Sequence, residues 1–164
     1  MTSSARVWLF GDDINTDMII PGRYLDNYDP DHLAAHAMEG ADAEFASKVA
    51  KGDIIVAGAN FGCGSSREQA VIALKHAGVQ AVIAASFARI FYRNSINLGL
   101  PAIVSSEAAR VFKSGDIVRF DMSSKALSSG DGSKNTALEP VPDHLRRILE
   151  SGGLIPFLRS KLKR

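Results

Sequence analysis

The sequence predicts an α/β domain with a parallel central sheet, and three observations support this prediction. Short runs of apolar, mostly β-branched residues recur along the chain and are too brief to be helices. Helical patterns lie between these runs, and strands that alternate with helices pair in parallel through right-handed crossovers. The 164 residues, 46% of them hydrophobic, are enough for one packed core and too few for two. We therefore expect a single domain over residues 1–164.

The first third of the chain is predicted to hold one strand, one helix and two polar loops. Residues 6–10 form a strand, and the aspartate-rich loop at 11–17 is a natural place for chemistry, although Asp12 and Asp13 are equally typical of solvated turns. Residues 23–30 follow neither period and are predicted to be a loop. The other elements are an apolar segment at 18–20, a helix from Asp31 to Met38 that ends at Gly40, and an amphipathic segment at 42–49.

Two histidines in the predicted helix have the spacing of a metal-ligand pair. His32 and His36 are four residues apart and therefore share one helix face. No third ligand is near them in the sequence, and histidines at a surface or core edge are far more common. We therefore predict no metal site in this chain.

The loop at residues 60–69 is the most informative stretch of the sequence. It reads Asn-Phe-Gly-Cys-Gly-Ser-Ser-Arg-Glu-Gln and lies between a predicted strand at 53–57 and a helical pattern that ends near Gly78. Ser65 and Ser66 are both suited to cap the helix, because an acceptor three residues later completes a capping box. We therefore expect the helix to begin at one of these serines.

The same loop predicts an anion site. Gly62 and Gly64 let the backbone turn sharply and bring bare N–H groups near a ligand. The start of a helix attracts anions, and Arg67 in the expected first turn adds a planar fork suited to a carboxylate or phosphate. Glycine-rich turns of this kind are also common structural joints, so both interpretations stay open. A nucleotide site is disfavoured, because no Gly-Lys-Ser/Thr follows and Arg67 replaces the third glycine of a dinucleotide fingerprint.

The second half of the chain continues the alternation of strands and helices. A buried strand at 79–85 precedes a helix at 87–98, which Gly99 and Pro101 are placed to end. The remaining predicted elements are a strand at 102–104, a short helix at 107–113, a half-buried strand at 115–122, a hairpin turn at 128–133 and helices at 142–149 and 154–162.

Composition and charge limit the classes of partner. A net charge of +1 argues against nucleic acid or an anionic membrane as the main partner. No apolar run is long enough to span a bilayer and the start lacks a signal-peptide core, so we expect a cytoplasmic protein. The single cysteine, Cys63, excludes an internal disulfide and cannot hold an iron–sulfur cluster alone. A solvated tail explains the basic residues at the end, Arg159, Lys161, Lys163 and Arg164.

Three stretches together resemble one enzyme family. Beside the loop at 60–68 stand Gly-Asp-Asp-Ile-Asn-Thr-Asp-Met-Ile-Ile-Pro-Gly at 11–22 and Phe-Tyr-Arg-Asn-Ser-Ile-Asn-Leu-Gly-Leu-Pro at 91–101. Their order and spacing are similar to those of the small subunits of isopropylmalate dehydratase and homoaconitase, which resemble the mobile C-terminal domain of aconitase. The resemblance covers nearly the whole chain. It implies the swivelling β/β/α fold, with a parallel central sheet, flanking helices and an antiparallel layer.

The resemblance also implies a reaction and its residues. Enzymes of this family isomerise a hydroxy di- or tricarboxylic acid by eliminating and re-adding water. The catalytic base of the family matches Ser65, an orienting aspartate matches Asp17, and Arg67 is expected to clamp a substrate carboxylate. The further substrate-binding residues implied in this way are Ser66, Gly64 and Arg23.

Partners and a cofactor follow from the same resemblance. A large subunit is expected to carry a [4Fe-4S] cluster, so no cofactor and no metal are expected on this chain, where Cys63 is a loop residue. The substrate is expected to be a small-molecule hydroxy acid. Self-association of the isolated small subunit stays open.

The resemblance implies that substrate choice depends on a loop that follows Arg23. In archaeal-type relatives, apolar residues in this loop suit isopropylmalate, and basic or hydroxyl residues suit homoaconitate. Here Asp26 disfavours an additional carboxylate and Asn27 offers no apolar wall, so neither pattern is matched. Gln69 also replaces a histidine expected from the family. The loop consists of Tyr24, Leu25, Asp26, Asn27 and Tyr28.

We expect the chain to be a 3-isopropylmalate dehydratase small subunit, acting in leucine biosynthesis. A homoaconitase, dimethylmalate dehydratase or aconitase-type small subunit stays open as an alternative. A non-catalytic, carboxylate-binding regulatory subunit is the alternative from another functional class.

Overall fold

The computed structural model describes residues 3–163, so Met1, Thr2 and Arg164, the last residue of the predicted basic tail, lie outside the described part. The strands within that range are β1 (Ser3–Leu9), β2 (Ile54–Ala57), β3 (Ala81–Ala84), β4 (Ala102–Val104), β5 (Ile117–Phe120), β6 (Ala126–Ser129) and β7 (Asn135–Ala137). The α-helices are α1 (Thr16–Ile19), α2 (Pro30–Ala34), α3 (Phe45–Lys48), α4 (Glu68–Ala77), α5 (Arg89–Asn97), α6 (Ala108–Val111), α7 (Asp143–Glu150) and α8 (Leu154–Leu162), and a 3₁₀ helix spans Gly22–Tyr24.

The strands form one mixed sheet in the order β4-β3-β2-β1-β5-β6-β7. Strands β1 to β4 pair in parallel, as the alternation with helices predicts. Strand β1 connects the two halves of the sheet, because its first residues pair antiparallel with β5 and its last residues pair parallel with β2. Strands β5, β6 and β7 continue as an antiparallel meander.

Two apolar cores cover the two faces of the parallel strands. On one face Ile55 packs with Leu74 of α4 and Leu33 of α2. On the other face Val56 shares a core with Leu127 of the antiparallel strands. Successive strand residues point to opposite faces, so both sides of β2 are buried. The layers are therefore helices, parallel strands and antiparallel strands, which confirms the β/β/α fold; a single domain over residues 1–164 stays a prediction.

Most predicted elements coincide with observed ones. Each predicted strand falls on an observed strand, and the hairpin turn at 128–133 joins β6 to β7. The helix predicted at 87–98 is α5, and Gly99 after it has φ +83°, a conformation that glycine adopts readily. Among residues 3–163, no helix has the length and apolar character needed to cross a bilayer.

The helix predicted at 31–38 is wrong in its length, because α2 ends at Ala34. The backbone of Met38 turns to φ +58°, and its N–H donates to Ile19 O at 2.7 Å instead of continuing a helix. Gly40 N likewise donates to Met18 O at 3.0 Å. These bonds attach the segment after α2 to α1, so tertiary pairing overrides the local helical pattern.

Candidate active site

The loop between β2 and α4 is held against the loop that precedes α1. Gly62 N donates to Ile14 O at 2.7 Å, and Thr16 N donates to Cys63 O at 2.9 Å. Gly62 has φ +84° and lies on the Phe91 ring, so a Cβ at this position would overlap the ring. Gly64 has φ +94°, which confirms the predicted sharp turns at both glycines. The loop is thus fixed from two sides before the helix begins.

The predicted serine cap is wrong. Helix α4 begins at Glu68, its N-cap is Arg67 with φ −140° and ψ 110°, and no side chain caps it. The tertiary contact responsible is the hydroxyl of Thr16, whose Oγ1 donates to Ser65 O at 2.9 Å and holds the serine segment beside α1. Arg67 is therefore the residue before the first turn of α4, and neither the Ser65 nor the Ser66 hydroxyl caps the helix.

The serine segment and the start of α4 present a run of unused backbone donors. Within residues 3–163, the N–H groups of residues 64–69 donate to no protein acceptor. Ser65 and Ser66 are exposed, and the positive end of the α4 dipole lies next to them. Such an arrangement can bind an anion or stabilise a negative oxygen, which favours the anion site over a purely structural joint.

Arg67 is oriented by groups of α1 and of the residue that follows it. Its Nη1 donates to Ile20 O at 3.0 Å and to Asp17 Oδ1 at 3.3 Å, and only 18% of its side chain is exposed. Gly22 N donates to the same oxygen of Asp17 at 3.1 Å. The Gly22 N–H and then Arg67 lower the pKa of the Asp17 carboxyl, so it is negative at neutral pH. Within the described range, Nε and Nη2 of Arg67 donate to no protein group, which leaves one edge of the fork for a ligand.

These side chains border a cavity of about 290 Å³ between the serine loop and the start of α5. Ser65, Ser66 and Arg67 line one side. Arg89 and Asn94 line the α5 side, and both were missed as site residues in the sequence. The stretch at 91–101, which carries part of the family resemblance, contains Asn94 and was the signal available for it. Thr16 was also missed, although the Asn15 side chain before it accepts from Met18 N at 2.9 Å and is a recognisable N-cap.

Arg23 lies on the 3₁₀ helix that begins at Gly22. Its side chain is 66% exposed and its Nη2 donates to Glu39 Oε1 at 2.8 Å. The loop that follows is only partly attached, because Tyr24 and Leu25 are half-buried and pack against the core. Asp26, Asn27 and Tyr28 are exposed, and Tyr28 has 57% of its surface accessible. The roles of Arg23 and of this loop stay predictions.

The described residues offer no ligand set for a metal or cluster. Among residues 3–163, no group of three or more histidine, cysteine, aspartate or glutamate side chains is placed to hold a metal ion. His32 and His36 lie with ring centroids 5.3 Å apart, and His36 Nδ1 donates to Glu39 Oε2 at 2.7 Å. Cys63 is half-buried. The side chains in the described part of the chain therefore do not fit an iron–sulfur cluster.

Comparison with known proteins identifies relatives along nearly the whole chain. A family model of the aconitase C-terminal domain matches residues 12–108. The 3-isopropylmalate dehydratase small subunit 1 of Methanopyrus kandleri is 53% identical over 94% of this chain and 91% of its own length. The methanogen homoaconitase small subunit of Methanothermobacter thermautotrophicus is 58% identical over 92% of this chain and 86% of its own. A crystal structure of 3-isopropylmalate dehydratase from Methanocaldococcus jannaschii has a TM-score of 0.93 and 50% identity, and covers 98% of this chain and 95% of that one.

Proposed function

The chain belongs to the aconitase C-terminal domain family, and from this premise we propose that it is the small subunit of a heteromeric hydro-lyase. The reaction best supported is isomerisation of 2-isopropylmalate to 3-isopropylmalate in leucine biosynthesis. Relatives named 3-isopropylmalate dehydratase match nearly the full chain and support this choice. The observation that carries the proposal is an exposed Ser65 in a loop of unused N–H groups, in one cavity with Arg67.

Ser65 is the proposed base. Its Oγ, as an alkoxide, removes the proton from the carbon next to a substrate carboxylate. A serine hydroxyl is too weak an acid to ionise unaided at neutral pH, so the oxygen requires preorganised donors and positive charge. The N–H groups of residues 64–69, the start of α4 and the Arg67 guanidinium belong to the same loop and supply both. Ser66 and the Gly64 N–H are proposed to contact the substrate from that loop.

Arg67 is the proposed clamp for a substrate carboxylate. Breaking the C–H bond releases an electron pair that spreads into the adjacent carboxylate, whose negative charge therefore grows in the transition state. Nε and Nη2 of Arg67 are placed to receive this carboxylate, because Asp17 and Ile20 O hold only Nη1. Asp17 thus orients the fork without occupying it. Arg23, on the turn that begins beside Asp17, is proposed as a second carboxylate contact.

The missing parts of the reaction are proposed to come from a large subunit. A [4Fe-4S] cluster on that partner would supply the Lewis acid for the departing hydroxyl, since this chain has a single cysteine. The exposed position of Ser65 also calls for a partner surface, because an alkoxide in open water gains little from its donors. The cytoplasmic location stays a prediction.

Substrate choice is proposed to depend on the loop Tyr24–Tyr28. Asp26 is exposed and negative, which disfavours an acid with a further carboxylate. The Asn27 side chain is already engaged, because its Oδ1 accepts from Asp29 N at 2.9 Å. Homoaconitase is retained as the second candidate because the relative of that name is 58% identical to this chain. Dimethylmalate and citrate complete the set of acids to be tested.

The proposal is tested by reconstitution. The chain is mixed anaerobically with its cognate, cluster-loaded large subunit, and the unsaturated intermediate is followed by ultraviolet absorbance. Turnover of 2-isopropylmalate alone is the expected result, and turnover of homocitrate or homoaconitate in its place would assign the second candidate. If none of the acids reacts although the loaded subunits associate, the hydro-lyase proposal fails and a carboxylate-binding regulatory subunit is favoured.

A further inference from the structure

Glu39 lies at the centre of a polar cluster beside the proposed specificity loop. Its Oε1 accepts from Tyr24 Oη at 2.8 Å and from Arg23 Nη2 at 2.8 Å, and its Oε2 accepts from His36 Nδ1 at 2.7 Å. The side chain is 26% exposed. Burial raises the pKa of Glu39, but the hydrogen bonds from Tyr24, His36 and Arg23 lower the pKa by more. The net shift is downward, so the group is a carboxylate at neutral pH.

Both ends of the specificity loop meet at this cluster. At the start of the loop, the Tyr24 ring stacks on His36 with 3.7 Å between the ring centroids and an interplanar angle of 8°. After the loop, His32 on α2 meets the Tyr24 ring edge-on at 5.9 Å. The guanidinium of Arg23 lies over the Tyr24 ring, with 4.8 Å from its carbon to the ring centroid. The chain between Tyr24 and α2 is thus a short loop closed by one group of side chains.

Apart from this cluster, the main attachment of the loop is Leu25, which packs against the core. Within residues 25–29, the one side-chain hydrogen bond is from Asp29 N to Asn27 Oδ1. Asp26, Asn27 and Tyr28 are exposed and have no core contact of their own. Their position therefore depends on the two residues before them, Leu25 against the core and Tyr24, whose hydroxyl donates to Glu39 and whose ring stacks on His36.

We propose that Glu39 is a positioning residue that sets the conformation of the specificity loop and the direction of Arg23. The role of the loop in substrate choice rests on the proposed function. The anchoring of the loop by Glu39 concerns this chain alone and does not rest on it. Glu39 need not touch the substrate. It acts because one carboxylate joins the loop, through Tyr24, to Arg23 and to the segment after α2. A change in its charge alters what the loop presents without changing Ser65 or Arg67.

The anchoring is tested first on the full chain without its partner. Hydrogen exchange of the Leu25 and Asp29 amides, which donate to Gly22 O and Asn27 Oδ1, is compared between the natural chain, Glu39→Gln and a control, Glu44→Gln. Glu44 makes an exposed ion pair with Lys48 and is the matched control, because it too loses one charge contact. We expect exchange in the loop to be roughly five times faster in Glu39→Gln, since a charged hydrogen bond is lost, and unchanged in Glu44→Gln. Equal exchange in all three chains would overturn the proposal.

The effect on substrate is tested in the reconstituted enzyme. Glu39→Gln is expected to raise KM for the preferred acid roughly fivefold, to change the ratio of kcat/KM between two acids, and to leave kcat within about twofold. Faster loop exchange with unchanged KM and unchanged selectivity would overturn the positioning role. Changes in KM and selectivity of the same size in Glu44→Gln would also overturn it, because the effect would then be a general result of losing a charge.

Two controls separate failure of this inference from failure of the proposed function. If the natural chain turns over none of the acids, the proposed function fails, and the positioning of substrate falls with it even where loop exchange responds to Glu39→Gln. If Glu39→Gln does not fold, as judged by circular dichroism, Tyr24→Phe removes only the hydroxyl contact with Glu39. It is expected to accelerate loop exchange and raise KM in the same direction by a smaller factor; no change in either would overturn the inference.

Discussion

Replacing Gly62 by alanine tests whether the serine loop is held as described. The added methyl group meets two costs at this position. The residue has φ +84°, which costs an alanine about 1–2 kcal/mol because its Cβ approaches the backbone. The new Cβ would also overlap the Cβ and ring of Phe91, and such overpacking costs about 1–3 kcal/mol. The expected loss in free energy of unfolding is therefore about 2–5 kcal/mol.

Gly64→Ala provides the matched control. Gly64 has φ +94°, so the backbone cost is the same, about 1–2 kcal/mol. Its nearest neighbour to an added Cβ is Thr16 Oγ1 at 3.5 Å, an ordinary contact, so no overlap is added. The two variants therefore differ by the clash with Phe91 alone.

The comparison is made by urea unfolding of the isolated chains. Gly62→Ala is expected to lower the midpoint more than Gly64→Ala, by the equivalent of about 1–3 kcal/mol at similar m-values. Equal losses in the two variants would refute the claim that the loop is pressed against Phe91. A loss below about 1 kcal/mol at both positions would refute the left-handed turns themselves.

Arg67→Lys is expected to raise KM by about ten- to a hundredfold in steady-state kinetics, because a point charge replaces the free edge of the fork; unchanged KM would rule against the clamp. Asp53, which is 5% exposed, contributes to acid stability. Burial raises the pKa of its carboxyl, but the hydrogen bonds from Ala50 N, Trp8 and Arg6 lower the pKa by more, so the net shift is downward. A lowered pKa means that its stabilisation is complete above the ordinary value of 3.8 and is lost as the pH falls through the folded-state value. Asp53→Asn should cost about 2–3 kcal/mol at neutral pH and flatten stability against pH below about pH 5 in urea titrations, and an unchanged acid slope would contradict this.

The fold was largely predictable because its elements carry local signals. The parallel strands β2, β3 and β4 are short apolar runs between helices, and Gly78 and Gly99 end α4 and α5 with φ +110° and +83°. The antiparallel layer followed from the family resemblance, because alternation alone does not say which strands cover which face. The junction in β1 between the two kinds of pairing has no signal in its own sequence.

The errors arose where distant residues determine the backbone. Capping preferences placed the start of α4 at Ser65 or Ser66, but the hydroxyl of Thr16 holds Ser65 O and the helix begins at Glu68. The helix from Asp31 to Met38 was assigned from local start and stop signals, but α2 ends at Ala34. The amphipathic segment predicted at 42–49 contains α3. Bonds between segments far apart in sequence cannot be read from local patterns.

The site was predictable in part for the same reason. Motif resemblance brought out Asp17, Ser65 and Arg67, and the structure places Asp17 Oδ1 3.3 Å from Arg67 Nη1. Glu39 lies in none of the three stretches that carry the resemblance. Thr16 lies in one of them, but its contact with Ser65 O depends on a partner that only folding brings near.

Turnover by Ser65→Ala in the reconstituted enzyme is the most direct measurement of the proposed base. With the cognate large subunit and the preferred acid, kcat is expected to fall by about 10²–10⁴-fold while circular dichroism and subunit association stay unchanged. Ser47 is an exposed serine on α3 whose hydroxyl donates to Glu44 O, and Ser47→Ala is expected to retain full turnover. A Ser65→Ala enzyme with kcat within about twofold of the natural one would contradict the assignment of Ser65 as the base.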